Sequence, residues 1–271
     1  MYSHNLNLIR VKYISLYFLI LLLLSCNNQG PRHPKPFQHA SKKVPLALLV
    51  SSMQNYQEAK AQMLTLRNKT RQQLTSGTID STQAGILFTE GLLKTIIPHW
   101  YGTPWDFNGY TDTPKQGKIA CGYFVSTTLL HAGIALDRYK LAQQGPRDEA
   151  VALSLHKGWR TVAGFPADAR AKNINETLKE GLYFIGLDES HVGYLLKQEG
   201  ELYLIHANYT GDAVVTIQPL MQSVFQHFTT WHIAEITYNR ALVGYWLSGK
   251  KCVLPYPNLA AQSKKIKGKP G

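Results

Sequence analysis

The stretch GKIACGYFV, residues 117–125, decides the fold, because it sets a cysteine, Cys121, between a loop and an apolar helix. Glycine and proline punctuate the preceding residues 101–118, as they do in loops. Apolar residues then recur at the i, i+4, i+7 and i+11 positions of one helix face. They are Val125, Leu129, Ala132 and Leu136. Cys121 is therefore expected at the N-terminus of a helix that packs on a core.

The rest of the chain divides into a helical half and a strand half. Apolar and alanine positions recur every three or four residues over 46–66 and 84–97, which predicts two helices, with Asp80 and Ser81 as caps of the second. Short runs of β-branched and aromatic residues further on predict strands. These runs are Gly181–Leu187, His191–Leu196, Leu202–His206, Ala213–Ile217 and Trp231–Tyr238. The order predicts an α+β fold, and residues 137–180 follow no clear pattern.

The N-terminus predicts export and a membrane anchor. Arg10 and Lys12 precede an apolar run over residues 13–24, which is shorter than a spanning helix and typical of a signal peptide. Leu23-Leu24-Ser25-Cys26 resembles the bacterial lipobox, which implies a lipid on Cys26. The alternative is an ordinary cleaved signal with an incidental cysteine. Asp is absent just after Cys26, which by analogy with enterobacterial sorting favours the outer membrane, facing the periplasm.

These features divide the chain into a signal peptide over 1–25, a lipidated flexible tether over 26–45, a single domain over 46–250 and a basic flexible tail over 251–271. The formal net charge is +12, and an exported basic protein favours anionic wall polymer or lipid headgroups over nucleic acid as partners. The 44% apolar composition is enough for a buried core.

Two histidines are the candidate partners of Cys121, since a thiol attacks as thiolate and needs a base. If the hairpin turn centres between Gln198 and Glu199, His191 and His206 are direct cross-strand neighbours, with Cβ atoms about 4.5 to 5.5 Å apart. A slip of two residues would set Asn208 opposite His191 instead. Either residue would orient the His191 imidazole, and His206 is favoured over Asn208.

Three short segments, in this order, resemble the NlpC family of cell-wall cysteine peptidases. They are GKIACGYFV at 117–125, SHVGY at 190–194 and IHAN at 205–208. The resemblance spans about residues 100–236. It implies a papain-like fold with the nucleophile helix packed on a central antiparallel sheet, and an envelope hydrolase that cleaves an amide in peptidoglycan stem peptides without metal or cofactor.

The resemblance also implies roles for single residues. Cys121 becomes the nucleophile, His191 the general base and His206 the orienter. The family often places a tyrosine beside the oxyanion site, and among His99, Trp100 and Tyr101 we favour Tyr101 for that role.

Several alternatives stay open. A cysteine amidase or acyltransferase acting on another amide is motivated by the long 137–180 segment. A wall-binding lipoprotein with a degenerate site is motivated by Ala120 and Gly122, where the family usually carries Asp and Ser. Two further alternatives for Cys121 are a disulfide with Cys252 and a zinc site shared with both histidines. Four aromatic residues form either a sugar-stacking lip or part of the core. They are Trp100, Tyr101, Trp105 and Tyr110.

Overall fold

The computed structural model describes residues 55–155, 157–164 and 166–257. The predicted signal peptide, the lipidation site at Cys26 and the tether lie outside these residues. Helices and one antiparallel sheet make up the described chain, so the predicted α+β class is confirmed. None of the helices in these ranges is both long enough and apolar enough to cross a membrane.

The helical half begins before the sheet and contains the predicted cap. Its elements are α1 Tyr56–Thr75, α2 Ser81–Gly91, a π-helical turn Leu92–Ile96, α3 Ile97–Trp100, α4 Cys121–His131, α5 Arg138–Ala142 and α6 Pro146–Ser154. The Asp80 carboxylate accepts the backbone N–H of Gln83 at 2.7 Å, and the Gln83 side chain accepts that of Asp80 at 2.9 Å. This capping box fixes the start of α2 and confirms Asp80 as its cap.

The sheet has six strands in the order β1-β6-β2-β3-β4-β5, each antiparallel to its neighbours. The strands are β1 Trp159–Ala163, β2 Gly181–Leu187, β3 His191–Gln198, β4 Glu201–Ala207, β5 Val215–Pro219 and β6 Thr230–Glu235. Helix α7 (Ala167–Thr177) precedes β2, two 3-10 turns (Leu220–Gln222 and Val224–His227) follow β5, and α8 (Arg240–Ser248) ends the fold. The predicted runs all contain strands, and β2 has both predicted bounds.

The β3–β4 turn differs from the prediction. Gln198 pairs with Glu201, so Glu199 and Gly200 form the turn, with φ angles of 53° and 74°. Two consecutive positive φ angles are typical of a type I′ hairpin turn, which favours glycine at its second position. The predicted centre between Gln198 and Glu199 is therefore wrong by one residue, and the strand register moves by two.

Each face of the sheet carries its own core. Tyr194, with other buried residues of β2 to β6, packs against α4 through Phe124 and Val125. The opposite face packs Leu195 and its neighbours against α7 and the 3-10 turns. Because strand side chains alternate between faces, odd-numbered β3 residues belong to the α7 side.

The end of the chain packs on the helical half. Cys252 and Leu254, both within the predicted tail, are buried. The backbone N–H of Cys252 donates to the Ala135 carbonyl at 2.9 Å. The described part of that segment, residues 251–257, thus covers the region just after α4.

Candidate active site

Cys121 is the first residue of α4, as its position in the sequence predicts. The cap residue Ala120 has extended backbone and makes no side-chain cap, so the first-turn N–H groups stay available. A Cβ on Gly122 would lie 2.7 Å from the Ala142 carbonyl oxygen. Close packing of α5 therefore accounts for glycine at this position.

The Cys121 thiol lies in a protected environment. Burial is the largest influence and raises its pKa to about 11. The backbone N–H of Val192 opposes this by hydrogen bonding to the sulfur, and the N–H groups of Gly122 and Cys121 add smaller contributions in the same direction. At neutral pH the resting group is therefore a thiol, placed beside the first residues of β3.

His191 and His206 form a buried pair. The His191 Nε2 lies 2.7 Å from the His206 Nδ1, with the rings at 81° to each other. Burial lowers the pKa of His191 to about 3, and burial together with the neighbouring His191 lowers that of His206 well below its ordinary value. Both rings are therefore neutral at pH 7.

The pair is diagonal across the two strands rather than directly opposite, which corrects the predicted pairing. Tyr194 pairs with Ile205, so Gly193 stands opposite His206. A Cβ on Gly193 would lie 2.9 Å from the His206 Cβ. Glycine at this point thus leaves the space in which the two imidazoles reach each other.

One nitrogen of the pair stays open. The Nδ1 of His191 is buried and has no hydrogen-bond partner among the described residues. The adjacent Val192 N–H points at the Cys121 sulfur. Cys121 packs with the α4 side of the sheet, whereas His191, at the start of β3, lies on the α7 side. Nδ1 is the ring nitrogen of His191 that has no partner among the described residues.

Two aromatic residues that the sequence did not predict for the site, Phe225 and Tyr209, pack against the imidazole rings. Phe225 stacks on His191, with ring centroids 4.5 Å apart, and meets His206 edge-on at 4.7 Å. Tyr209 meets His191 edge-on at 5.2 Å and also contacts Trp105. Tyr209 is 38% exposed, so it forms the solvent-facing wall of the histidine pair.

A polar chain continues behind His206 and was also missed. The Gln218 side-chain nitrogen lies 3.0 Å from the His206 Nε2 and donates to Ser223 Oγ at 2.9 Å. Ser223 Oγ also accepts the Phe225 backbone N–H at 3.1 Å. The available sequence signal was weak, because Gln218 and Ser223 follow no motif and lie where β5 passes into a 3-10 turn.

One predicted residue, Asn208, does not join this arrangement. The Asn208 Oδ1 accepts the backbone N–H and the hydroxyl of Thr210 at 2.9 and 2.8 Å. Its side chain therefore caps its own loop and does not orient His191. The described contacts of Tyr101 are with the apolar core, and the adjacent Gly102 N–H donates to Val215 on β5. Burial raises the pKa of Tyr101 above its ordinary range.

The predicted aromatic lip is only partly exposed. Trp100 is fully buried and donates its indole N–H to the Tyr56 hydroxyl at 2.7 Å, so it is a core residue. Tyr110 is 59% exposed and helps to line an open hollow of about 360 Å³ in the loop before α4. The lining of this hollow includes neither Cys121 nor His191.

Glu149 on α6 is an unusual neighbour of Cys121. It is fully buried, and both carboxyl oxygens are without a hydrogen-bond partner among the described residues. Burial raises its pKa well above the ordinary value and so disfavours the charged form. A charge on it would raise the pKa of both Cys121 and Tyr194.

The two other uses of the cysteines find no geometric support. Cys121 and Cys252 are both free thiols. Within the ranges the structure describes, no three His, Cys, Asp or Glu side chains are grouped to hold a metal ion. The facing nitrogens of His191 and His206 bond to each other.

The geometry therefore offers a thiol at a helix N-terminus, an imidazole with one open nitrogen, and a second imidazole that holds the first. No family model matches the chain, and no curated protein does. This set of groups can carry out nucleophilic acyl chemistry, in which a base takes the proton from the attacking sulfur.

Proposed function

We propose that the protein is a papain-like cysteine hydrolase of the NlpC type that cleaves an amide in peptidoglycan stem peptides. One observation carries this proposal. The buried His191 has its Nε2 bonded to His206 while its Nδ1 stays open, and the next residue, Val192, donates its backbone N–H to the Cys121 sulfur. A general base requires an open nitrogen. The buried His232 also has one, at Nε2, and the step from His191 through Val192 to Cys121 favours His191.

The proposed reaction follows from these positions. The Cys121 thiol gives its proton to His191 Nδ1 as the sulfur attacks the amide carbonyl. Backbone N–H groups at the start of α4 stabilise the oxyanion. His191 then passes the proton to the leaving amine, and water, activated by the same nitrogen, hydrolyses the thioester and restores the thiol.

The resting charge state defines how the attack begins. The pKa of about 11 for Cys121 and about 3 for His191 favours a neutral pair over a preformed thiolate and imidazolium. Proton transfer is therefore coupled to the attack on bound substrate. His206 supports it by accepting the N–H of the imidazolium at Nε2.

The substrate class rests on the sequence. The predicted signal peptide and the lipid on Cys26 would hold the domain in the envelope, where peptidoglycan is the abundant amide polymer. The net charge of +12 favours that anionic polymer. The exposed rings of Tyr110 and Tyr209 offer stacking surfaces on the loops around the site.

Digestion of purified peptidoglycan, with the products identified by mass spectrometry, tests the proposal. The wild-type protein should release muropeptides with one new amine and one new carboxyl group. Cys121→Ala should release none and keep the wild-type melting temperature, and Cys252→Ala serves as the matched control. Muropeptide release by Cys121→Ala would refute the assignment.

A second candidate is an amidase or acyltransferase that uses the same thiol on a different amide. It is favoured by residues 137–180, which form α5, α6, β1 and α7 and extend the sheet by one strand beyond β6. The same digestion separates the two functions. An enzyme of this second kind leaves peptidoglycan intact, yet acquires an acyl group on Cys121 when it is given its own substrate.

A third candidate is a wall-binding lipoprotein without catalysis, favoured by the raised pKa of Cys121. Such a protein would co-sediment with peptidoglycan equally well as wild type and as Cys121→Ala, and neither form would release muropeptides.

A further inference from the structure

The hydrogen-bonded chain behind the histidine pair includes the Gln218 side-chain amide. That amide has an NH₂ group that donates and a carbonyl oxygen that accepts. Gln218 lies on β5, opposite Leu204, with its amide against the His206 Nε2 and Ser223 Oγ. We propose that Gln218 is a positioning residue that sets the tautomer of His206 and, through it, that of His191. This inference rests on the proposed function, since it concerns which nitrogen of His191 can act as the base.

The Gln218 amide can bond to the His206 Nε2 in two orientations, because rotating the amide exchanges the positions of its oxygen and nitrogen. When the NH₂ end faces His206, the His206 Nε2 must accept, so its proton lies on Nδ1 and is donated to the His191 Nε2. His191 then carries its own proton on Nδ1. The structure holds this orientation, in which the open nitrogen is a donor and cannot take a proton from Cys121.

The other orientation gives the reactive form. When the amide oxygen faces His206, the His206 Nε2 donates to it and the His206 Nδ1 accepts from the His191 Nε2. The His191 Nδ1 then has a free lone pair toward the thiol. The 2.7 Å contact between the rings makes the two tautomers change together, because one shared proton must belong to one of the facing nitrogens.

Ser223 makes both orientations possible. Its Oγ accepts the backbone N–H of Phe225, which leaves its hydroxyl hydrogen free to donate to an amide oxygen. It can equally accept from the amide nitrogen, as the 2.9 Å contact shows. The same 3-10 turn carries Phe225, whose ring packs on both imidazoles. Residues 223–225 therefore both pack on the two imidazole rings, through Phe225, and supply the hydrogen-bond partner of Gln218, which is Ser223.

Nitrogen-15 NMR of histidine-labelled full chain tests the inference, because the ring shifts report which nitrogen carries the proton. At pH 7.5 the wild type should have the proton on Nε2 of both His191 and His206. Gln218→Glu should keep this state, since a carboxylate only accepts. Gln218→Leu should lose it and give mixed tautomers. Gln222→Leu, at an exposed glutamine of the following turn, is the matched control and should match the wild type.

Activity gives the second readout. Gln218→Leu should lower kcat roughly 10- to 100-fold, the usual cost of losing an outer partner that fixes a histidine tautomer, with KM unchanged. Gln218→Glu should retain most of kcat, with the acid limb of its pH profile moved to higher pH by the added negative charge.

Two results would overturn the inference: a wild-type His191 protonated on Nδ1, or identical ring shifts in wild type and Gln218→Leu. If Gln218→Leu fails to fold, the wild-type spectrum and Gln218→Glu still decide. Tautomers that respond to Gln218 in a protein that cleaves no amide would refute the proposed function and leave the tautomer assignment standing.

Discussion

Two histidine clusters, one around His131 at the end of α4 and one around His191 on β3, differ in one respect. The His131 Nδ1 is bonded to the Tyr56 hydroxyl at 2.9 Å, and that hydroxyl accepts the Trp100 N–H at 2.7 Å. In the other cluster the chain from Gln218 ends at an open His191 nitrogen. Burial lowers the pKa of both His131, to about 4, and His191, to about 3. A lowered pKa therefore reflects burial in both, and the open buried nitrogen is a difference between these two clusters.

Replacing His191 or His131 by glutamine should give the largest difference between the two clusters, measured as the rate of muropeptide release. His191→Gln should lower the rate of muropeptide release about 10³-fold, within the range that general base catalysis contributes. His131→Gln should leave kcat within about threefold, because its cluster lies away from Cys121. Initial rates at saturating peptidoglycan measure both, with melting temperatures to exclude unfolding. Equal losses in the two variants would contradict the distinction.

Because of both histidine clusters, the free energy of unfolding should fall in acid. An unfolded histidine has a pKa of about 6.5, and the folded values of both His131 and His191 are lower. Below pH 6.5 the unfolded chain therefore binds protons that the folded chain excludes, and the free energy of unfolding falls as pH falls. His191 alone should cost about 2 kcal/mol at pH 5. Urea unfolding at pH 7.5 and pH 5 measures the loss, and His191→Gln should show a smaller one.

Tyr56→Phe should break the hydrogen bonds of the His131 cluster. It removes the hydroxyl that accepts from Trp100 and contacts His131, and it leaves two buried polar atoms unsatisfied. We expect a loss of about 1–3 kcal/mol in the free energy of unfolding with muropeptide release unchanged. Chemical denaturation tests this, and wild-type stability in Tyr56→Phe would show that the cluster contributes nothing.

Glu149 is a buried carboxyl group with no hydrogen-bond partner at either oxygen among the described residues. Its pKa is raised in the folded state, so its cost is present above the unfolded pKa of about 4.3 and diminishes as pH falls. Glu149→Met should therefore stabilise the fold at pH 7.5 by about 1 kcal/mol, with a smaller gain at pH 4.5. Thermal unfolding at both pH values provides the measurement, and destabilisation at pH 7.5 would contradict it.

Local patterns predicted much of this fold. The bounds of β2, the Asp80 cap and the start of α4 at Cys121 follow from signals within a few residues of each site. Strand β1 does not, because it is a mostly exposed edge strand whose partner β6 lies far along the chain. The β3–β4 register was missed because it depends on Glu199 taking a positive φ, a conformation that non-glycine residues rarely adopt.

The site divides in the same way. The position of Cys121 at a helix start and the contact between His191 and His206 were predicted from local spacing, and their catalytic roles stay predictions. Phe225 and Gln218 could not be found, because their roles depend on how β5 and the following turn fold back over β4. Asn208 was misassigned because its side chain has a nearer partner in Thr210.

The packing of the chain end on α4 has a consequence for the timing of folding. The Trp246 N–H donates to the Ala132 carbonyl and the Cys252 N–H to Ala135, so carbonyls at and just after the C-terminal end of α4 are bonded by residues far along the chain. Contacts between such distant residues slow folding, because a long loop must close before they form. Slow closure of these contacts suits a polypeptide that the sequence predicts must be threaded through a membrane before it folds.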